Sequence, residues 1–334
     1  MKPSIILAKS RKGESLVMAT VIGIDQGNGN LKTAKTHFPC GFTKQQTEPA
    51  GVFANEVLFY KNNYYTLSRT KFPYEIDKTK NENCLILTLF GIAKEIKERC
   101  EAEGREFTGF IGKDVILALG LPPAHFEKQR KNFISYFENA FRYGVEFTYN
   151  NKPFSFHVKK ICLYPQDYAA VMVHNAELVQ KYKTINCIDI GDGTVELLVL
   201  KEGIPQKDTM LSREIGMARL REHIIDCVIN DYAYTLDSEV IEDVLTPGVE
   251  TVLDMDIEDK IMEETKLWAE RIVNQLHSKV PDFRTAPTVF CGGGAIMLKP
   301  FLEKSGMFGV TKFDLDIHAN AIGYEEIAKL ENEE

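Results

Sequence analysis

A mainly apolar run, VIGI at 21–24, gives way to an aspartate and a glycine-rich turn, DQGNGN, which places a strand at 20–25. That pattern predicts a buried strand entering a hairpin, with a return strand over about 30–36. Short aromatic-rich pieces between 42 and 80, such as VLFYKNNYYTLS, predict small antiparallel strands. In NENCLILTLFGIAKEIKERCEAEG, residues Leu85, Thr88, Ile92, Ile96 and Cys100 share one helical face, and Gly104 can end the helix. KDVILALGLP reads as a buried strand running into a proline turn, PAHFEKQRKNFISYFENAFRYG as a helix stopped by Gly144, and 145–163 as strand pieces. An apolar helix is expected over about 166–182 and a strong strand over 184–190. Downstream, REIGMARLREHIIDCVIN reads as helix. IEDKIMEETKLWAERIVNQLHSKV is a long amphipathic helix with Ile257, Ile261, Trp268, Ile272 and Leu276 on one side. PTVFCGGGAIML is a strand ending in three glycines, and a last helix falls at about 319–331.

The chain of 334 residues is long enough for two domains. Its net charge of −8, without an extended basic patch, argues against charge-driven binding to DNA or RNA. The seven cysteines are scattered with no C-x-x-C pair, which points to buried thiols in a reduced, cytoplasmic protein. No apolar stretch reaches the length of a membrane span. The opening MKPSIILAKSRKG is too short for a signal peptide and weak as a membrane-lying helix. Translation from Met18 would make residues 1–17 a dispensable extension. The histidines show no metal-ligand spacing, and His174 is expected as a satisfied, partly buried side chain. Trp268 is expected in the core. The Phe and Tyr residues of 53–65 are expected in a small-sheet core or a filament contact rather than stacked on bases.

The glycine turn recurs. Aligning Asp189 with Asp25 also aligns Gly191 and Gly193 with Gly27 and Gly29, about half a chain apart. A dinucleotide loop would need G-x-G-x-x-G opening a helix, but the sixth positions are Lys32 and Glu196, and LKTAKT and VELLVL continue as strand. The Walker pattern is absent as well. Glycine-rich hairpins can still hold phosphate, because glycine reaches φ > 0, lets the ligand approach, and allows successive N–H groups to face one concavity. Asp25 and Asp189 suit Mg²⁺ held through water rather than phosphate itself. Lys32 can supply a point charge to a phosphate. A single such segment reads equally well as a plain type I′ turn. Two of them, followed by Cys291-Gly292-Gly293-Gly294-Ala295, favour a nucleotide site in which small residues let a base or ribose lie on the backbone.

These two hairpins and the GGG segment resemble the actin, heat-shock chaperone and sugar-kinase superfamily over most of the chain. LGLP, a helix, then YPQDYAA before the second hairpin is similar to the ParM (StbA) bacterial actins that segregate plasmids. The resemblance implies an α/β, actin-like (ribonuclease H-like) two-domain fold with a nucleotide cleft between the domains. Its expected boundaries are an extension at 1–19, domain I at 20–183 with a small insertion at about 42–108, and domain II at 184–315. A C-terminal helix at about 316–334 completes domain I. It further implies ATP (or GTP) with Mg²⁺, slow hydrolysis coupled to filament assembly, and plasmid movement through a ParR-type DNA-binding adaptor, with no membrane.

On this pattern Gly27, Asn28, Gly29, Asn30 and Lys32 form the first phosphate loop, and Gly191, Asp192, Gly193 and Thr194 the second. Gly292, Gly293 and Gly294 form the adenosine loop. Asp189 anchors Mg²⁺ and polarises the attacking water, and Asp25 is the second metal-side carboxylate. Gln166 orients water, where ParM-type chains commonly carry Glu. Asp192 is either a polar contact near the terminal phosphate or the residue that makes the turn; Thr194 and Asn30 are side-chain phosphate ligands, and Thr33 is ordinary strand surface. The alternatives are a small-molecule kinase of the same superfamily and a cytoskeletal scaffold with another cargo. A membrane-tethered scaffold lacks a basic amphipathic helix, and a chaperone ATPase needs a peptide-binding domain.

Overall fold

A computed structural model describes residues 19–50 and 56–332. The expected extension therefore lies outside the described residues except for its last position, as do Phe53 and residues 333–334 of the final helix. The first half of the chain runs β1 (Thr20–Gln26), β2 (Asn30–Lys32), β3 (His37–Pro39), β4 (Phe42–Gln45), β5 (Val57–Tyr60), β6 (Asn63–Leu67), α1 (Asn83–Ala102), β7 (Phe110–Leu121), α2 (Pro123–Phe141), β8 (Val145–Tyr149), β9 (Lys152–Pro165), α3 (Tyr168–His174) and α4 (Ala176–Lys181). The second half continues with β10 (Thr184–Ile190), β11 (Val195–Lys201), β12 (Ile204–Pro205), β13 (Leu211–Arg213), α5 (Met217–Tyr232), α6 (Ser238–Leu245), α7 (Met255–Leu276), β14 (Thr288–Cys291), α8 (Gly293–Lys304), β15 (Thr311–Phe313) and α9 (Ala319–Asn332).

The strands form two sheets. One has the order β3-β2-β1-β7-β9-β8-β5-β6-β4, and the other β12-β11-β10-β14-β15 with β13 paired to β11. In each, a hairpin lies beside parallel strands: β1 pairs antiparallel with β2 and parallel with β7, and β10 pairs antiparallel with β11 and parallel with β14. Strands flanked by helices on both faces become continuous apolar runs, which is why VIGI and VILALGL carry no alternation. The aromatic pieces at 42–67 are strands, but they extend the first sheet through β8 instead of forming a separate one.

Each sheet buries both faces. Ile22, Ile24 and Leu117 pack with Leu89, Phe90 and Ile92 of α1 and Phe137 of α2. On the opposite face Ala118 of β7 and Cys162 of β9 pack with Ala169 of α3 and Tyr324 of α9. In the second sheet Ile188, Leu197 and Phe290 pack with Leu220, Ile261, Trp268 and Leu298, so the predicted apolar face of α7 is core. Its opposite face holds Val171 and Met172 of α3. Helix α3 thus contributes side chains to both sheets.

Three sequence expectations change. The return strand of the first hairpin stops at Lys32 rather than 36. Thr33 is fully buried, not strand surface: its hydroxyl donates to Glu95 at 2.5 Å, and its N–H closes a turn on the Thr36 carbonyl. The helix expected over 166–182 begins at Tyr168, because Asp167 has φ +66°, and it breaks at Asn175. There His174 Nδ1 and Asn175 Nδ2 both reach Asp314 Oδ2, at 3.1 and 3.4 Å. The same contact satisfies His174 as expected.

Helix α9 returns to the first sheet and packs on β1, β7 and α3. The approach is close enough to require glycine. A Cβ on Gly23 would lie 2.0 Å from the Ala321 carbonyl oxygen, and one on Gly120 would lie 2.1 Å from the Tyr324 hydroxyl. Arg99 of α1 reinforces the seam, donating to Glu95 at 2.7 Å, Glu325 at 2.5 Å and the Val21 carbonyl at 3.0 Å. Replacing Gly23 with Ala forces backbone apart and is expected to destabilise the protein by about 1–3 kcal/mol. Urea unfolding measures this as a lower midpoint at unchanged slope; a wild-type midpoint would contradict the packing of α9 on β1.

Candidate functional site

The two hairpins are built alike. Asp25 lies opposite Lys32 and Gln26 opposite Leu31; Asp189 lies opposite Glu196 and Ile190 opposite Val195. Each aspartate is therefore the penultimate residue of the inner strand, and a four-residue segment after the last pair closes the loop. Neither segment is a type I′ turn, because none of Gly27, Gly29, Gly191 or Gly193 has positive φ. The glycines serve close approach instead. A Cβ on Gly29 would sit 2.7 Å from the Asp192 side chain, and one on Gly193 would meet Tyr74 at 3.3 Å and Asn28 at 3.6 Å. The loops from the two halves thus touch face to face.

The loops line a cavity of about 260 Å³. Asp25, Gly27, Asn28, Gly29, Asn30, Lys32, Gln166, Asp189, Gly191, Asp192, Gly193, Thr194, Gly293 and Gly294 all reach its wall, so the expected residues converge apart from Gly292. Gly292 has φ +86°, and a Cβ there would stand 2.1 Å from Asp189 Oδ1. It packs against the strand end that carries Asp189. Gly293 faces open space, with nothing within 4 Å of a built Cβ. The GGG segment opens α8 without a side-chain cap, leaving its first N–H groups for a polar ligand.

Carboxyl groups crowd the floor. Asp25 is 2% exposed, accepts a hydrogen bond from Gln166 Nε2 at 2.8 Å, and lies 3.8 Å from Lys32 Nζ. Asp189 accepts from Asn320 Nδ2 at 3.4 Å. Burial raises the Asp189 carboxyl, while the neighbouring Asp167 and Lys32 oppose the shift. Burial, then the charges of Asp189 and Glu196, push Asp167 far above the usual carboxylate range. Of the two neighbours, Asp167 is the one whose ionised form is disfavoured more, since adjacent carboxylates in low dielectric oppose each other's ionisation. Burial and then the charge of Asp189 push Glu196 up to about 8. Its Oε1 accepts from Thr194 at 3.2 Å, so the threonine hydroxyl is engaged within the hairpin, while Oε2 has no partner.

Other residues at the site escaped the sequence reading. Glu196 was legible in principle, since it occupies in the second hairpin the place of Lys32 in the first. Lys71 and Lys78, from the segment after β6, and Arg221 of α5 also line the cavity. Lys78 Nζ donates to the Gln26 carbonyl. Asp192 pairs with Arg221 at 2.6 Å and Lys71 at 3.2 Å. Burial would raise its carboxyl, but these two cations hold it below the ordinary value. Asn320 of α9 accepts from the Asp167 N–H at 2.9 Å and so ties the last helix to this floor. No local motif marks these positions.

Away from the cavity, the expectation that histidines lack metal-ligand spacing fails once. His223 and Cys227, four apart on α5, meet Glu264 of α7 with ligand atoms within 4.8 Å of one another. Glu264 already binds His223 at 2.9 Å and Lys260 at 3.0 Å, so an ammonium group occupies the place of a cation. All seven cysteines are free and six are buried. Among the described residues no helix is long and apolar enough to cross a membrane.

Residues 187–304 match the family model described as archaeal actin homologue MreB-like, C-terminal. No curated protein matches the chain in sequence. Among solved structures, the archaeal actin homologue Ta0583 superposes with a TM-score of 0.73 at 16% identity, covering 94% of this chain and all of that one. Its complex with ADP gives 0.70 at 15% identity over the same shares. A 15-stranded ParM filament from Clostridium botulinum gives 0.71 at 17% identity, with 94% and 100% covered. Bacillus thuringiensis ParM with ATP gives 0.59 at 12% identity, with 93% and 98% covered. Two hairpins meeting from two sheets, with a glycine-opened helix beside them, belong in this chain to the actin-like fold.

Proposed function

We propose that this protein is a filament-forming actin homologue of the ParM kind, which binds ATP with Mg²⁺ in the cavity between the hairpins and hydrolyses it slowly as it assembles. The carrying observation is the contact of two equivalent glycine loops, each with an aspartate at its strand end. The ADP and ATP complexes and the filament among structures of the same fold support the reading. The separate cores of the two sheets support a division into 20–183, completed by the last helix, and 184–315. Plasmid segregation through a DNA-binding adaptor is the cargo role that fits an acidic protein.

The residues present fit Mg²⁺. Three buried carboxyls, Asp25, Asp167 and Glu196, crowd the floor beside Asp189, and among the described residues Glu196 Oε2 and both Asp167 oxygens lack a hydrogen-bond donor. Asp25 and Asp189 would hold the ion, through water, and it would neutralise charge on the phosphate oxygens. Lys32 stands within reach of the same phosphates. Phosphoryl transfer to water needs a positioned nucleophile more than covalent chemistry. Gln166 is held by Asp25 and has a carbonyl oxygen left to orient a water. An amide cannot take that water's proton, which suits slow turnover that assembly accelerates.

Light scattering and pelleting test the reading: Mg²⁺ with ATP should yield filaments, and ADP few. Persistent monomer whose ATPase rises on adding sugars or small acids would replace this reading with a kinase. Asp189→Ala should lower turnover by about 100-fold or more while nucleotide still binds; unchanged turnover would remove Asp189 from its role. Gln166→Ala should cost about 100-fold in kcat through loss of positioning, with the nucleotide Kd moving little.

A further inference from the structure

The ion pairs around Asp192 join parts of the protein that the fold would otherwise leave separate. Lys71 follows β6 of the first sheet, Asp192 sits at the tip of the β10–β11 hairpin, and Arg221 lies one turn into α5. The two cations hold opposite oxygens of one carboxylate: Arg221 on Oδ1 at 2.6 Å and Lys71 on Oδ2 at 3.2 Å. Arg221 is aimed from behind, its other terminal nitrogen fixed 2.9 Å from Glu242 and its side chain only 11% exposed. The Asp192 carboxylate also fills the space in front of Gly29. Two cations thus converge on one carboxylate that stands at the cavity wall between the two loops.

We infer that Lys71 and Arg221 are ligands of the terminal phosphate, and that Asp192 is a built-in substitute that holds them, and the two halves of the cleft, until a triphosphate takes them over. The inference rests on the proposed nucleotide site and extends it. A phosphate oxygen pair accepts from arginine in the same forked manner as a carboxylate and carries more charge. Asp192 and the terminal phosphate repel each other, so they compete for the same two cations. A diphosphate, lacking the last group, leaves the Asp192 pairs in place. The segment carrying Lys71 and Tyr74 lies over the second hairpin, so the exchange also sets how that segment is held.

The test uses purified full-length protein with Mg²⁺, and ADP and a non-hydrolysable ATP analogue as calorimetric probes. Lys71→Met and Arg221→Gln should each weaken the analogue at least tenfold and ADP less than threefold. Asp192→Asn should tighten the analogue severalfold, because the competitor is gone. A second measurement needs no turnover: hydrogen exchange of residues 68–80. Without nucleotide it should speed up in Asp192→Asn and Lys71→Met, and the analogue should restore protection in Asp192→Asn only. Equal loss of both nucleotides in the Lys71 and Arg221 variants, or weaker analogue binding by Asp192→Asn, would overturn the inference while leaving the nucleotide site standing. Wild-type protein that binds neither probe would overturn both.

Discussion

The structure turns on the placing of like charges. Asp25 and Asp189 are delivered by the inner strands of two different sheets, and Asp167 and Glu196 are buried beside them. Leaving water costs an ionised carboxylate several kcal/mol unless something offsets it. Burial shifts Asp167 and Glu196 toward their neutral forms, and Gln166, Asn320 and Lys32 supply donors to Asp25 and Asp189. What remains is a cavity whose floor is lined largely by carboxyl groups. Stability given up on the floor is compensated in the apolar cores beneath it, where each sheet is covered on both faces.

The two hairpins share register, yet their chemistry is not symmetric. Opposite the aspartate, the first carries a lysine and the second a glutamate. The first is therefore partly neutralised within itself, while the second gathers cations from outside, Arg221 from behind and Lys71 from the other half. An internal duplication of backbone has been given opposite electrostatic tasks. A nucleotide between them would meet one loop that offers charge directly and one whose charge must first be released.

Much of this was legible in the sequence where the signal was local. Hydrophobic runs, helical spacing at Leu85 through Cys100, and the doubled D-x-G-x-G marked most of the elements and the two loops. The misreadings came where distant residues decide the outcome. Nothing near Thr33 announces that its hydroxyl is bound by Glu95, 62 residues away. Asn175, where the helix breaks, meets Asp314, 139 residues away. The glycines in the loops looked like formers of type I′ turns, but none has positive φ; Gly29 makes room for Asp192 of the opposite loop, while Gly27 and Gly191 make room for carbonyl oxygens of their own hairpins. Lys71 and Arg221 lie in stretches with no motif; only the fold brings them to one carboxylate.

Helix α9 bears on how the protein is made. It fills the groove above Gly23 and Gly120, and its Asn320 reaches both Asp167 and Asp189. A growing chain still on the ribosome has both hairpins long before it has this helix. Until residue 332 has emerged, the central strands of the first sheet remain uncovered on one side and the acidic floor lacks an amide. The cavity is therefore among the last features to be finished as the chain is made.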